Sequence, residues 1–198
     1  MSAHRPITRA DVLSRDDYAR QRAERRKRII ELKRRRRVEV GPLATFYFES
    51  RETMVQQIQE MLWIEKGGEE QIADELAAYA PLAPRGEELV ATLMFEIDDP
   101  VRRHNVLTRL AYVEDTVSIQ LGDTEVKAIP EVSDGVPRTS EEGKTSSIHF
   151  LRFPFTAAQI AKFRDPSVQV VLAVAHENYA HMAVMPKAVR EALAEDFA

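Results

Sequence analysis

Histidines supply the first group of residues in this chain that could do chemistry. His149 lies in the segment IHFLRF, His176 follows the apolar segment VQVVLAVA, and His181 comes five residues later. Two histidines and a carboxylate can bind iron or zinc, and a histidine at the end of a central strand can transfer protons. No spacing here matches a known zinc motif. A hydrogen-bonded histidine beside the core is the simpler interpretation.

Carboxylates form the second group. On a helix with 100° per residue, four polar residues fall within about 80° of one another: Glu49, Glu52, Gln56 and Glu60. Such a stripe could bind a hard metal, as in di-iron bundles, but those bundles also use a Glu-x-x-His motif that this chain lacks. The stripe lies opposite the apolar side of its predicted helix, which favours an ordinary solvated face.

Cations form the third group. Eleven of the eighteen residues from Arg20 to Arg37 are Lys or Arg. Residues 1–37 hold 14 basic and 5 acidic side chains, a charge of +9, and the remainder carries −13. A cluster of like charges must contact an anion. The candidates for this contact are Arg34, Arg35, Arg36 and Arg37.

Two kinds of anion fit these arginines. Nucleic acid would bind them through its phosphates, but no helix-turn-helix, zinc finger or basic zipper accompanies them, and the acidic remainder would repel a polyanion. We therefore expect the arginines to face carboxylates of this protein or of a second copy, in a homodimer. A structural or partner-docking role and nucleic-acid binding both stay open as alternatives.

The composition bounds the class of protein. The 198 residues, 44% of them hydrophobic, suffice for one core and are not those of a disordered chain. We find no apolar run that could cross a membrane, no secretion signal and no cysteine, so we predict a cytoplasmic protein without disulfides or thiolate sites. Phosphate-binding loops, nucleophile elbows and dinucleotide fingerprints are absent from the sequence, and we identify no catalytic motif.

Helices and strands must position these residues, and their predicted order indicates an α+β fold. In this fold, N-terminal helices are followed by an antiparallel or mixed sheet with short helices. We predict one domain over residues 1–198, with residues 1–37 as a basic helical arm and residues 131–145 as a flexible loop. The predicted helices are 15–36, 50–65, 69–79, 100–110, a short helix capped by Thr156, and a last helix from Pro186. The predicted strands are 38–40, 43–48, 88–97, 117–121, 124–129, 146–155, 168–175 and 181–185.

Four segments together resemble a known family: GPLATFYFESRETMVQQIQEML, ELAAYAPLAP, SSIHFLRF and AHENYAHM. The chain resembles, over nearly its full length, an uncharacterised bacterial family known as domain of unknown function 3501. Ser50 stands where many relatives have Asn, which is a neutral exchange at a helix N-cap.

The resemblance implies a setting and a set of residues, without an established reaction. Members look like companions of rubrerythrin-like and iron–sulfur proteins, which implies an accessory role in a redox or oxidative-stress pathway. The polar positions that the family repeats are Glu49, Arg51, Gln59, Glu60, His149, Arg152, His176 and Tyr179. Glu49, Glu60, His149, His176 and Tyr179 are thus candidates to bind a small ligand or a metal such as iron or zinc.

Overall fold

The computed structural model describes residues 5–131 and 137–198. Within these ranges it confirms the predicted α+β fold. The α-helices are α1 (Arg15–Arg34), α2 (Arg51–Glu65), α3 (Glu69–Tyr79), α4 (Pro100–Leu107), α5 (Ala157–Arg164) and α6 (Lys187–Ala194). The strands are β1 (Arg37–Val40), β2 (Ala44–Phe48), β3 (Glu88–Phe95), β4 (Val117–Leu121), β5 (Thr124–Lys127), β6 (Ile129–Pro130), β7 (Ile148–Pro154), β8 (Val170–His176) and β9 (Tyr179–Val184).

The strands form two sheets in which every described pair is antiparallel. One sheet has the order β1-β2-β3-β7-β6 and the other the order β5-β4-β8-β9. The sequence predicts one strand over residues 124–129, but the structure divides it, because Val126 pairs with Ile119 of β4 whereas Ile129 pairs with Arg152 of β7. The chain therefore passes from one sheet to the other at Ala128.

One apolar core lies between the two sheets. Alternate residues of each strand point into it, as a period of two requires; on β7 these are His149, Leu151 and Phe153. The buried side chains that form this core include Phe46, Leu93, Phe153, Ile119 and Leu172. His149 thus lies in a strand whose neighbouring inward residues are core residues.

A second, smaller core joins the helices to the other face of the five-stranded sheet. Met54 and Ile58 of α2 pack there with Val90 of β3 and Leu82. The molecule therefore has a helical layer, a five-stranded sheet and a four-stranded sheet. Among the described residues, no helix combines the length and apolar character needed to cross a bilayer.

Side-chain caps start three of the helices where the sequence predicts them. The hydroxyl of Ser14 accepts a hydrogen bond from Asp17 N at 3.1 Å, and the hydroxyl of Ser50 accepts one from Thr53 N at 3.2 Å. Thr156 forms a reciprocal capping box with Gln159. Such caps satisfy amide groups that have no partner inside the helix.

The N-terminal helix packs along α2. Tyr18 and Ile29 are its buried residues, and α1 ends at Arg34, two residues before the predicted end. The interpretation of the Glu49–Glu60 stripe as a solvated face is wrong, because Glu49 and Gln56 are buried and Glu60 is only partly exposed. The polar residues of α2 do not reveal this burial in the sequence, because nothing in their pattern indicates that α1 lies over that side of α2.

The segment 131–145, predicted to be a flexible loop, is described only in part. Residues 132–136 of this prediction lie outside the described residues. Thr139 and Thr145 form an antiparallel bridge, and Thr145 N donates a hydrogen bond to Leu107 O at 3.0 Å. The described part of the segment thus contacts the end of α4.

Candidate functional site

Glu60, one of the predicted ligand candidates, holds α1 against α2. Its carboxylate accepts a hydrogen bond from the Tyr18 hydroxyl and bonds of 3.0 and 2.9 Å from Nε and Nη2 of Arg22. Burial disfavours ionisation of Glu60, but these hydrogen bonds outweigh it and hold the pKa of Glu60 below its ordinary value. Both carboxylate oxygens of Glu60 thus already accept hydrogen bonds from α1.

Glu49 and three of the four arginines at the end of the basic segment also have partners in the chain. The carboxylate of Glu49 accepts hydrogen bonds from Thr53 Oγ1 at 2.6 Å and Thr92 Oγ1 at 2.7 Å. Arg34 pairs with Glu31, Arg36 with Asp196, and Arg37 with Glu39. For Arg35 the described residues provide no ion pair.

Three further polar positions of the family pattern form contacts that stabilise the fold. The side-chain oxygen of Gln59 accepts a hydrogen bond from Leu13 N at 2.9 Å. Arg51 pairs with Asp11, and Arg152 pairs with Glu88 and Glu131. These contacts fasten the N-terminal segment and the edge of the five-stranded sheet.

His149 lies beside a buried glutamate that the sequence did not indicate. Nδ1 of His149 is 3.4 Å from Oε2 of Glu114, and neither atom has a hydrogen-bond partner among the described residues. Burial raises the pKa of Glu114 and lowers the pKa of His149 to about 4. His149 is therefore neutral near neutral pH, and burial also disfavours the charged form of Glu114.

The second ring nitrogen of His149 indicates which tautomer of the imidazole is present. Nε2 of His149 lies 3.0 Å from the carbonyl oxygen of Ser146 and 3.3 Å from Thr145 Oγ1. Since a carbonyl oxygen can only accept, Nε2 carries the imidazole proton, and Nδ1 is free to accept one from Glu114. The pair can share a proton, but the side chain of His149 is almost fully buried.

His176 orders the turn between β8 and β9, and Tyr179 orders the turn between β1 and β2. Nδ1 of His176 accepts a hydrogen bond from Asn178 N at 3.1 Å, and Nε2 lies 3.1 Å from Ala111 O. The Tyr179 hydroxyl accepts bonds from Leu43 N and Ala44 N, each at 3.0 Å. These two candidates thus position the backbone of the β8–β9 turn and of the β1–β2 turn, and their polar atoms already have hydrogen-bond partners.

The five ligand candidates do not form a single site. Glu49 and Glu60 lie in the helical layer, whereas Phe95, whose ring contacts both His149 and Tyr179, lies between the two sheets. His149 and His176 each lie near Glu114. In the parts of the chain that the structure describes, no three histidine or acidic side chains lie close enough to hold a metal ion.

The turn that His176 orders forms one wall of a cleft of about 480 Å³ beside α4. Its apolar residues include Leu43, Val106 and Leu110. Its polar residues include Arg102, Asn105, Arg109 and Asn178. A cleft of this size with an apolar surface and a few polar groups is the usual form of a small-ligand site.

Two arginines of this cleft lack a carboxylate partner. Among the described residues, neither Arg102 nor Arg109 forms an ion pair with a carboxylate, whereas Arg22, Arg36, Arg51 and Arg152 each do. Asp99, which also lines the cleft, directs its carboxylate to Arg102 N at 2.6 Å as the cap of α4. Nδ2 of Asn178 donates to Arg109 O at 3.0 Å, which fixes this amide at the rim.

The cleft residues and Glu114 are not predicted from the sequence. Residues 100–110 are predicted only as a short helix, although the segment carries Arg102, Arg103 and Arg109 with no acidic residue after Asp99. That local excess of cations was the available signal. Glu114 gave none, because nothing in the sequence around it distinguishes a buried glutamate from an exposed one.

Comparisons with known proteins agree with the resemblance seen in the sequence. A family model described as "Protein of unknown function (DUF3501)" matches residues 6–197. The chain is also similar to a protein of unknown function from Burkholderia pseudomallei K96243, whose crystal structure shares 35% sequence identity with it. That match has a TM-score of 0.88 and covers 98% of this chain and all of the other. Among proteins with curated descriptions, none matches this chain.

Proposed function

The chain belongs to the DUF3501 family of proteins of unknown function, and we propose that it is an accessory protein that binds a small anionic ligand in the cleft beside α4. The observation that carries this proposal is the pair of guanidinium groups, Arg102 and Arg109, that lack a carboxylate partner among the described residues and line one cleft with Asn178. A carboxylate would satisfy them, and a short apolar body would contact Leu43 and Leu110.

Octanoate is a suitable probe, because it joins a carboxylate to a short apolar chain. The chain contains two asparagines, Asn105 and Asn178, and both line the cleft. In protein labelled with ¹⁵N only at asparagine, each side-chain amide gives one signal pair, so every side-chain signal reports on this cleft. We expect both pairs to shift with octanoate in a saturable way.

Two matched variants distinguish the effect of the cleft arginines on octanoate binding from the effect of net charge. In R102Q/R109Q we expect octanoate affinity to fall about threefold to tenfold, because an exposed pair of opposite charges contributes about 0.2–1 kcal/mol and two such pairs are lost. K27Q/R35Q removes the same charge from exposed positions on and after α1 and should bind octanoate like the wild type. Signals that do not move, or an equal loss in both variants, would overturn the proposal.

The setting that we propose is the one that the family resemblance implies, beside rubrerythrin-like and iron–sulfur proteins in a redox or oxidative-stress pathway of the cytoplasm. Its support is that resemblance alone. Iron or zinc binding has less support than an organic anion, because Glu49 and Glu60 are engaged by Thr53, Thr92 and Arg22.

Nucleic-acid binding by α1 is the alternative that the exposed cations support. Lys27, Lys33 and Arg35 have no ion pair among the described residues, whereas Arg22 and Arg28 contact Glu60 and Glu52. Retention of a DNA duplex at low salt, lost in K27Q/K33Q/R35Q and falling steeply with salt, would establish this function. Absence of retention at low salt would eliminate it.

A further inference from the structure

The four edge strands of the two sheets are not protected alike. A free strand edge pairs with other chains unless charges, a proline or a short length prevents it. On β1 Arg37 and Glu39 are exposed, on β5 Glu125 and Lys127 are exposed, and β6 consists of two residues that include Pro130. β9 is six residues long, with the sequence YAHMAV, and has neither Lys, Arg, Asp, Glu nor Pro.

The backbone of β9 offers free hydrogen-bonding groups at this edge. Met185 N donates to Val170 O at 2.8 Å, so the odd-numbered residues of β9 direct their N–H and C=O groups towards β8. The groups of Ala180, Met182 and Val184 point away from β8. Outside the strand ladders, no backbone hydrogen bond of the described residues uses these three residues.

The side chains of the same residues are apolar and exposed. Met182 is 69% exposed and Val184 is 58% exposed. They lie beside Ala173 and Val171 of β8 on the outer face of the four-stranded sheet. β1 and the β1–β2 turn contact β9 at Tyr179 and His181, whose positions alternate with those of Met182 and Val184, and Met182 and Val184 stay exposed.

We propose that a second copy of this chain binds at β9 and that the two β9 strands pair antiparallel about a two-fold axis at Met182. With Met182 opposite Met182 of the second copy, Ala180 lies opposite Val184 and Val184 opposite Ala180 of that copy. All outward-pointing backbone groups of the strand are then hydrogen-bonded. The two four-stranded sheets join into one sheet of eight strands, an isologous interface.

Charge supports a second copy as the occupant. In this register Glu177, in the turn before β9, lies near the start of α6 of the second copy, where Lys187 is the first residue. Both side chains are exposed, and the intramolecular contact of Lys187 with Glu191 is long, at 3.8 Å. The two-fold axis creates the Glu177–Lys187 contact twice, once at each end of the paired strands.

The backbone part of the proposal is tested with M182P. Proline removes the N–H of residue 182, which the ladder with β8 does not use, so the fold should survive, as circular dichroism would show. Light scattering should give twice the 22.6 kDa chain mass for the wild type and the single-chain mass for M182P. A wild-type monomer at high micromolar concentration, or a folded M182P that keeps the dimer mass, would overturn the proposal.

The register is tested by charge exchange. E177K and K187E each place like charges opposite each other, so each should raise the dimer dissociation constant about tenfold, whereas E177K/K187E restores both contacts and should return it towards the wild-type value. This rescue requires that residues 177 and 187 of different copies meet. A double variant that is weaker than either single variant would refute the register.

Discussion

Arg36 and Asp196 form a buried ion pair that ties the end of the basic segment to the C-terminus of the chain. The guanidinium of Arg36 also donates to Phe48 O at 3.0 Å and to Glu49 O at 2.8 Å. A cation that is this well buried must be neutralised where it lies. Arg36, although it belongs to the basic segment, is thus a buried structural residue and not part of a surface that could bind nucleic acid.

Asp196→Ala should destabilise the protein strongly. The substitution leaves the Arg36 guanidinium buried without its counter-ion, and the expected loss in the free energy of unfolding is about 3–5 kcal/mol. Urea denaturation of the two proteins measures it. Glu31→Ala, which removes the exposed partner of Arg34, is the control and should cost less than about 1 kcal/mol. Equal losses in the two variants would mean that Asp196 does not neutralise Arg36.

His149 should make stability depend on pH below neutrality. Its pKa is about 4 in the folded protein and near the ordinary 6.5 when unfolded, so the unfolded chain binds more protons between these values. Stability should therefore fall as pH decreases from about 6.5 to 4, by roughly 3 kcal/mol in total from this group. The raised pKa of Glu114 has the opposite effect on the pH dependence of stability. The stability that protonated Glu114 contributes is present at low pH and is lost as pH rises.

The variant H149Q isolates this contribution. Gln cannot be protonated in this range, so the difference in unfolding free energy between wild type and H149Q should grow with pH from about 4 to 6.5 and then stay constant. Urea denaturation at several pH values provides the measurement. A difference that does not vary with pH would show that His149 titrates normally in the folded protein.

Tyr179→Phe should loosen the turn between β1 and β2. The Tyr179 hydroxyl donates to Val40 O at 2.7 Å and accepts from Leu43 N and Ala44 N, and the variant leaves these backbone groups without that partner. We expect a loss of about 2–4 kcal/mol in the free energy of unfolding. Tyr112→Phe, at an exposed tyrosine, should change it by less than about 0.5 kcal/mol. A neutral Tyr179→Phe would show that water replaces the hydroxyl.

The sequence was sufficient for elements whose signals are local. Ser14, Ser50 and Thr156 each precede a residue that completes a cap, and the helices begin there. The central position of β8 followed from the apolar character of both faces of VQVVLAVA. Likewise, a period of two correctly placed His149 with Leu151 on the inward face of β7.

Contacts between distant polar residues could not be predicted in the same way. The side of α1 that contacts α2 includes Arg22 as well as Tyr18 and Ile29, so no apolar stripe marks it. The side of α2 that contacts α1 contains Gln56 and Glu60. In the sequence these polar residues look like a solvated face, but α1 covers them in the structure. Partner choice among charged side chains depends on the tertiary fold, which a single sequence does not reveal.

His176 should act on ligand binding without touching the ligand, because it orders the turn that carries Asn178. Nδ1 of His176 accepts a hydrogen bond from the backbone N–H of Asn178, and Nε2 lies 3.1 Å from Ala111 O. His176→Ala therefore removes the side chain that connects Asn178 to Ala111. We expect octanoate affinity to fall severalfold, with the Asn178 side-chain signal moved even before octanoate is added. His104→Ala, on α4 outside the cleft lining, should leave both unchanged. If folded His176→Ala protein binds octanoate like the wild type, the turn does not need His176 to present Asn178.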